Sequence, residues 1–265
     1  MNLGGKCPTR GEFPTKILKT SPRDHAGAAC GMRWRNRCDA GNLALVTHRF
    51  WPLFDLRLRI GTIELRPIAD ADLTPLANLK PLDVELNPAN PVYAVAPGRI
   101  ATGITVHQSL WQSRGAWRPE SWNLEFTVVA DGAVVGVQCL EADEFARRRT
   151  VDSASWLITD ARGRGIGKAM RLAVLALAFD GLGAEMAVTE AWHDNHGSLG
   201  VSRSLGYVDN GFYRHDRAAS ADFPEAGVDD MARMRLSRAE FINRHPYHGV
   251  VIENLEPCLP YFGLG

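Results

Sequence analysis

The sequence predicts a mixed α/β domain beginning near residue 50, and three observations carry that prediction. Segments with strand alternation are interleaved with segments of helical character. Two strand-forming runs flank Asp131-Gly132, a two-residue hairpin signature. A third run leads into a glycine-rich turn and then an almost continuously apolar helix. The composition agrees: of 265 residues, 45% are apolar and 23% charged, which excludes a wholly disordered chain, collagen or a coiled-coil array.

The elements follow in order. Leu56, Leu58 and Ile60 alternate with Arg57 and Arg59, so 56–60 reads as a strand, and 62–68 as the next. Asp70 or Asp72 caps a short helix through Leu79. Residues 81–103 are rich in Pro, Asn and Gly and read as an irregular loop. A helix is expected from about Ile104 to Gly115. Strands 122–130 and 133–140 flank Asp131-Gly132, and Val151–Thr159 is a third strand. The apolar helix Lys168–Asp180 ends at Gly181 and Gly183. Next come a strand at 184–192, a helix capped by Asp194 or Asn195 and ending at Leu205, and a hairpin signal at Asn210-Gly211. A strand at 231–236 and the capping box Ser237-x-x-Glu240 of a last helix complete the domain.

Residues 1–45 show neither period and read as a basic, loosely held extension; the domain proper is 46–265. Thirty basic residues balance thirty acidic ones, but residues 1–50 hold nine of the former and three of the latter. A basic arm on a mildly acidic body leaves nucleic-acid binding by the arm as one reading and a solvated tail as the other. The five cysteines are widely spaced and include no Cys-x-x-Cys pair, which points to free thiols in a reducing cytoplasm and away from a zinc site. Residues 1–10 lead into no apolar core of a secretory signal, and the stretch 169–179, broken by Arg171, is too short to span a bilayer.

The informative segment is Arg162-Gly163-Arg164-Gly165-Ile166-Gly167-Lys168, between a strand and a buried helix. Its glycines let the backbone approach a ligand, and the first helical turn leaves N–H groups for a phosphate or pyrophosphate. A tight turn with solvated arginines is the plain alternative. A P-loop needs glycine and a hydroxyl where Arg162 and Ala169 stand, and Gly-x-Gly-x-Gly is out of register for a dinucleotide fingerprint.

Arg162-x-x-Gly165-x-Gly167 resembles the Arg/Gln-x-x-Gly-x-Gly/Ala signature of the GNAT superfamily of acyl-CoA-dependent N-acyltransferases. Asn195-x-x-Ser198-x-x-Val201, followed by Leu205-Gly206-Tyr207, resembles a second segment of that superfamily at the expected distance. Within it, the chain is similar to the ribosomal-protein N-terminal acetyltransferase branch. Trp51-Pro52-Leu53-Phe54, Asp131-Gly132-x-x-Val135-Gly136-Val137-Gln138, Ser155-Trp156-Leu157 and Cys258-x-Pro260-x-Phe262-Gly263 look like an actinobacterial subgroup that includes a lysine succinyltransferase.

The resemblance implies a central, mostly antiparallel twisted sheet splayed at the cofactor site and flanked by helices. It implies acetyl-CoA or another acyl-CoA, such as succinyl-CoA, as donor, with no metal. The acceptor it implies is an amine of a protein N-terminus, a lysine or a small molecule. It leaves a homodimer open. By residue, it implies that Arg162, Gly163, Arg164, Gly165, Ile166, Gly167 and Lys168 cradle the pyrophosphate. Leu157, Ile158 and Thr159 offer backbone groups to pantetheine, and Asn195, with Ser198, contacts its arm while capping a helix. Ser202 stands where many relatives carry a tyrosine, and is a candidate proton donor to the thiolate, with an ordinary polar position on the helix one turn after Ser198 as the plain alternative. Asp152 and Glu190 are candidate bases, each with a surface carboxylate as the plain alternative, and His193 is a weaker one. His107, Trp111, Trp117 and Trp122 either shape acceptor entry or simply pack. A catalytically silent CoA-binding sensor is the competing function.

Overall fold

The computed structural model describes residues 48–84, 98–218 and 225–264. The expectations for residues 1–45, and for 85–97 of the proline-rich stretch, lie outside them. Strands β1 (Arg57–Ile60) and β2 (Ile63–Pro67) pair antiparallel and bury Leu58 against Leu65. Helix α1 (Asp70–Leu79) is capped at Ala69, and the expected carboxylate acts from inside the first turn. Asp72 accepts the Ala69 N–H at 2.8 Å and both Nη groups of Arg66 at 2.6 and 2.7 Å. Helix α2 (Gly98–Gly115) starts six residues before the expected Ile104, because 98–103 continue the helix instead of the loop.

Strands β3 (Ser121–Ala130) and β4 (Ala133–Asp143) form the longest hairpin of the first sheet. Asp131 and Gly132 have φ of +50° and +80°, as a type I′ turn requires. The single turn α3 (Phe145–Arg148) follows, with its arginines on Glu144 and Asp143. The strand expected over 151–159 is divided. Thr150–Val151 (β5) pairs parallel with β7 (Met186–Trp192), while Ser155–Leu157 (β6) pairs antiparallel with β4. Residues 159–161 turn in a 3₁₀ helix, so Thr159 is not a strand residue. Helix α4 (Ile166–Ala176) runs on through a π-turn at Leu177–Gly181.

Helix α5 (His196–Leu205), β8 (Val208–Arg217), β9 (Gly227–Ser237), α6 (Arg238–Arg244) and β10 (Val251–Glu253) complete the order. Asn210-Gly211 is a bulge and not a hairpin turn. Asp209 pairs with Met234 and Phe212 with Ala232, so both residues oppose Arg233 alone, and Gly211 takes φ +93°. The sequence signal for φ > 0 was correct; its context within one long strand was not visible.

The strands make two sheets, ordered β10-β1-β2-β3-β4-β6 and β5-β7-β9-β8. Apart from the parallel β5–β7 pair, the pairing is antiparallel. Helix α4 is buried along Met170–Ala176 and belongs with Leu58, Leu65, Leu124, Phe126 and Val128 in the main core. On the opposite face of the first sheet, α1 and α2 bring Leu73, Leu76 and Leu110 to Val137 in a smaller cluster.

Strand β6 lies so close to β4 that glycine is needed at position 136. A Cβ there would collide with the Trp156 carbonyl and come within 2.9 Å of Leu157 Cδ2. Gly136→Ala is expected to lower stability by roughly 1–3 kcal/mol through displaced backbone. Urea unfolding of the two proteins measures it, and an unchanged midpoint would contradict the close crossing.

Candidate active site

The site begins where the two sheets part. Strand β7 pairs with β5 at Met186 and Ala187, yet β6, which begins after three intervening residues, pairs only with β4. Main-chain groups of Asp152, Ala154 and Ile158 bond to Glu141, Cys139 and Val135 of β4. The alternation of an antiparallel ladder therefore turns Ser153, Ser155 and Leu157 toward the gap before β7. Ser155 is exposed there.

Each expected pantetheine contact has a definite place. Leu157 faces the gap, although its carbonyl accepts Arg162 Nε–H at 3.2 Å. Ile158 does not offer its backbone: its N–H donates to Val135 and its carbonyl accepts from Ala161. The Thr159 carbonyl accepts the Arg162 N–H. Sequence reasoning missed Ser155, whose signal was the alternation counted from Leu157.

The glycine loop closes the lower end of the gap. Gly163 and Gly165 take φ of +72° and +81°, and Gly165 is the N-cap of α4. A Cβ on either would meet nothing within 4 Å, so the loop is open on that side. A Cβ on Gly167 would sit 3.7 Å from Leu157 Cδ1 and from Val201 Cγ2, where α4 passes β6 and α5. The first-turn N–H groups of α4, from Ile166 onward, point out of the helix end beside exposed Arg164 and Lys168. Arg162 is used differently from the expectation. It holds Asp83 bidentately, at 2.6 and 3.0 Å, and ties the loop to the segment after α1.

Asn195 is the N-cap of α5, and its Oδ1 accepts the Ser198 N–H at 3.0 Å, which leaves its Nδ2 for another partner. Ser202 is 1% exposed and its Oγ donates to the Ser198 carbonyl at 3.1 Å. His193 is exposed and lies 3.3 Å from Asp229. Trp117 and Trp122 stack within an aromatic group with Phe145 and Phe262, and Trp122 also lines the cavity formed by Asn123, Glu141 and Asp152. Trp111, 54% exposed, meets His107 edge to face on α2.

On the α1–α2 face, β3, β4 and the segment after β5 bring carboxylates together. Asn123 pairs with Glu141, and Glu141 bridges to Asp152. These three line a cavity of about 470 Å³ together with Arg118, Arg148 and Val188. Two residues along β3, Glu125 accepts from Ser113 at 3.1 Å. Burial pushes the Glu125 and Glu141 carboxyls up. Asp152 is pushed up to about 7: burial is the main cause, Glu141 and Glu190 add to it, and the Ser153 N–H and Arg171 oppose it. A carboxyl poised near neutrality inside a cleft is suited to accept a proton. Glu190 is placed otherwise, since its carboxylate accepts from Tyr213 at 2.6 Å and from Arg233 at 2.8 Å.

Among the described residues, no group of three or more His, Cys, Asp or Glu side chains is set to hold a metal ion. No described helix is long and apolar enough to cross a membrane.

Comparison with known proteins bears on this arrangement. A family model described as an acetyltransferase (GNAT) domain matches residues 62–208. RimJ of Mycobacterium smegmatis, solved with CoA-disulfide, is similar with a TM-score of 0.54 at 16% identity, over 72% of this chain and 92% of that one. RimL, a ribosomal α-N-protein acetyltransferase solved with coenzyme A, gives 0.52 at 15% identity, over 67% and 95%. The spermidine/spermine N-acetyltransferase SpeG of Vibrio cholerae gives 0.52 at 14% identity, over 69% and 98%. At these identities the likeness to the solved structures is one of fold.

The position of Asp152 has a thermodynamic signature. Folding raises its pKa from 3.8 to about 7, so the folded chain loses stability as pH rises through that window. Asp152→Asn removes the titration. The variant is expected to be more stable than the parent at pH 8, by about 2–4 kcal/mol, and to converge with it near pH 4. Thermal unfolding across pH checks this; parallel curves would contradict the buried, proton-holding carboxyl.

Proposed function

The chain belongs to the acetyltransferase (GNAT) domain family, and from that premise we propose that it is an N-acyltransferase taking an acetyl or succinyl group from the CoA thioester to a primary amine. The observation that carries this reading is the parting of β6 from β7 directly above an open, glycine-lined helix N-terminus. An extended pantetheine arm can complete the edge of β6, and its diphosphate then meets the amides of 163–168. RimL and RimJ, both solved with forms of CoA, support the cofactor assignment by fold.

In this reading Gly163, Gly165, Ile166, Gly167 and Lys168 hold the diphosphate, and Arg164 and Lys168 add positive charge. Arg162 braces the loop through Asp83. Leu157 and Ser155 present N–H groups to the arm, and the Nδ2 of Asn195 reaches it from α5 while Ser198 is held at the cap. The acceptor enters from the α1–α2 face, where Asn123, Glu125, Glu141 and Asp152 favour a cationic amine. Asp152 takes one proton from the ammonium, directly or through water. The amine nitrogen then attacks the thioester carbonyl, the C–S bond breaks, and the second proton lost by the nitrogen passes through Ser202 to the departing thiolate. Asp152 is favoured over Glu190 as base because Arg233 and Tyr213 already hold the Glu190 carboxylate.

The test is thiol release from acetyl-CoA and succinyl-CoA by the full chain with a panel of N-terminal peptides, lysine peptides and polyamines. Amine-dependent release supports the proposal. CoA binding without release on any amine would instead support a silent CoA-binding domain.

Two substitutions sharpen the assignment. Gly165 lies at φ +81°, which both Asn and Asp tolerate better than other side chains. Gly165→Asp is expected to weaken CoA binding at least about tenfold more than Gly165→Asn, since only Asp sets a negative charge beside the diphosphate. Equal affinities by titration calorimetry would remove the loop from the site. Ser202→Ala is expected to slow turnover with CoA affinity nearly unchanged; a full rate in steady-state assays would remove Ser202 from the mechanism.

A further inference from the structure

Helix α4 carries one residue that its packing does not call for. Arg171 is 3% exposed within an otherwise apolar buried run. Among the described residues its guanidinium meets hydroxyls, those of Thr189, Ser155 and Tyr207, and no carboxylate within 4 Å. Nη1 donates to Thr189 Oγ1 at 3.3 Å and Nη2 to Ser155 Oγ at 3.4 Å, while Nε has no partner. A buried guanidinium so weakly answered is disfavoured relative to an apolar side chain of similar size.

Its two contacts lie on opposite sides of the gap, Ser155 on β6 and Thr189 on β7. Thr189 Oγ1 donates onward to the Ser153 carbonyl at 3.1 Å, and the Ser153 N–H donates to Asp152 Oδ1 at 2.5 Å. A continuous chain of groups thus runs from α4 through β7 to Asp152. Ser153 Oγ and Tyr207 OH, buried and outside good hydrogen-bond geometry, belong to the same neighbourhood, where the Tyr207 hydroxyl interacts with both Ser153 and Arg171.

We infer that Arg171 is a positioning residue for the acyl transfer proposed above: it joins the diverging strands from the helix side and sets a positive charge near Asp152. The inference rests on that reading of the site. The charged and titratable groups around Asp152 are Glu141 on β4, Glu190 on β7, Arg171 on α4 and the buried Tyr207 hydroxyl after α5, with Arg118 and Arg148 lining the same cavity. Glu141 and Glu190 favour the protonated acid, and Arg171 opposes them. Without the guanidinium, Asp152 should keep its proton to higher pH.

The experiment uses the full chain with Arg171→Met, Arg171→Gln and Arg171→Lys. Gln removes the charge but can still bond Ser155 and Thr189, which guards against a Met variant that fails to fold; Lys keeps the charge. Asp152 is titrated directly by carbon-detected NMR of its carboxyl, and kcat/KM is followed against pH. With Gln, the Asp152 midpoint is expected to rise by at least one pH unit, about tenfold in proton affinity. The acid limb of kcat/KM should move by the same amount while the Kd for CoA stays within about threefold, since Arg171 lies outside the diphosphate loop. The Lys variant should return the midpoint toward that of the parent. A purely structural arginine would lower the rate at every pH and leave both midpoint and limb in place, which would overturn the inference. Turnover by the parent with an unmoved Asp152 in the Gln variant overturns this inference alone. No turnover by the parent on any amine overturns the acyl-transfer reading and, with it, the role given to Arg171.

Discussion

The structure depends on one place where a sheet fails to continue. Backbone N–H and C=O groups require partners, and ordinary sheets supply them from the neighbouring strand. Here β6 has β4 on one side and, on the other, a gap where β7 has turned away. Several features maintain that divergence. Gly136 lets β6 lie against β4, and α4 packs against both sheets through the main core. Arg162 fixes the turn below by reaching back to the Leu157 carbonyl. The result is an edge of β6 that β7 does not cover, ending at a helix N-terminus of the kind that suits an anion.

The two faces of the first sheet divide the chemistry. The α4 face is apolar and carries the core; the α1–α2 face carries Glu125, Glu141 and Asp152. Like charges in a poorly solvated cleft raise one another's proton affinity. That is unfavourable for folding and useful for taking a proton from an ammonium group. Asp152 stands at the junction, bridged to β4 but two residues from Ala154 and three from Ser155 at the gap. A donor along β6 and an acceptor from the α1–α2 face would therefore meet beside it.

Much of this was legible in the sequence because it rests on local chemistry. Asp131-Gly132, the Asn195 cap and the Ser237/Glu240 capping box are each set by neighbours a few residues away, and each takes the expected form. The glycine loop was legible for the same reason. What was hidden depends on distant partners. The strand over 151–159 looks continuous, and only its pairing with β4 and β7 divides it. Arg162 reads as a phosphate ligand, and its contact with Asp83, 79 residues earlier, is one that only the fold creates. Asn210-Gly211 signals φ > 0 in either a turn or a bulge, and the register with β9 decides. Arg171 reads as a mere interruption of an apolar helix, since Thr189 and Ser155 reach it only through the fold.

The account turns on whether coenzyme A completes the edge of β6. Residue-resolved amide hydrogen exchange, with and without saturating CoA, addresses it directly. The account predicts slowed exchange at Ser155 and Leu157 and across 163–168, with Ile158, already bonded to Val135, little changed. Unaltered exchange at Ser155 and Leu157 in the presence of bound CoA would contradict it.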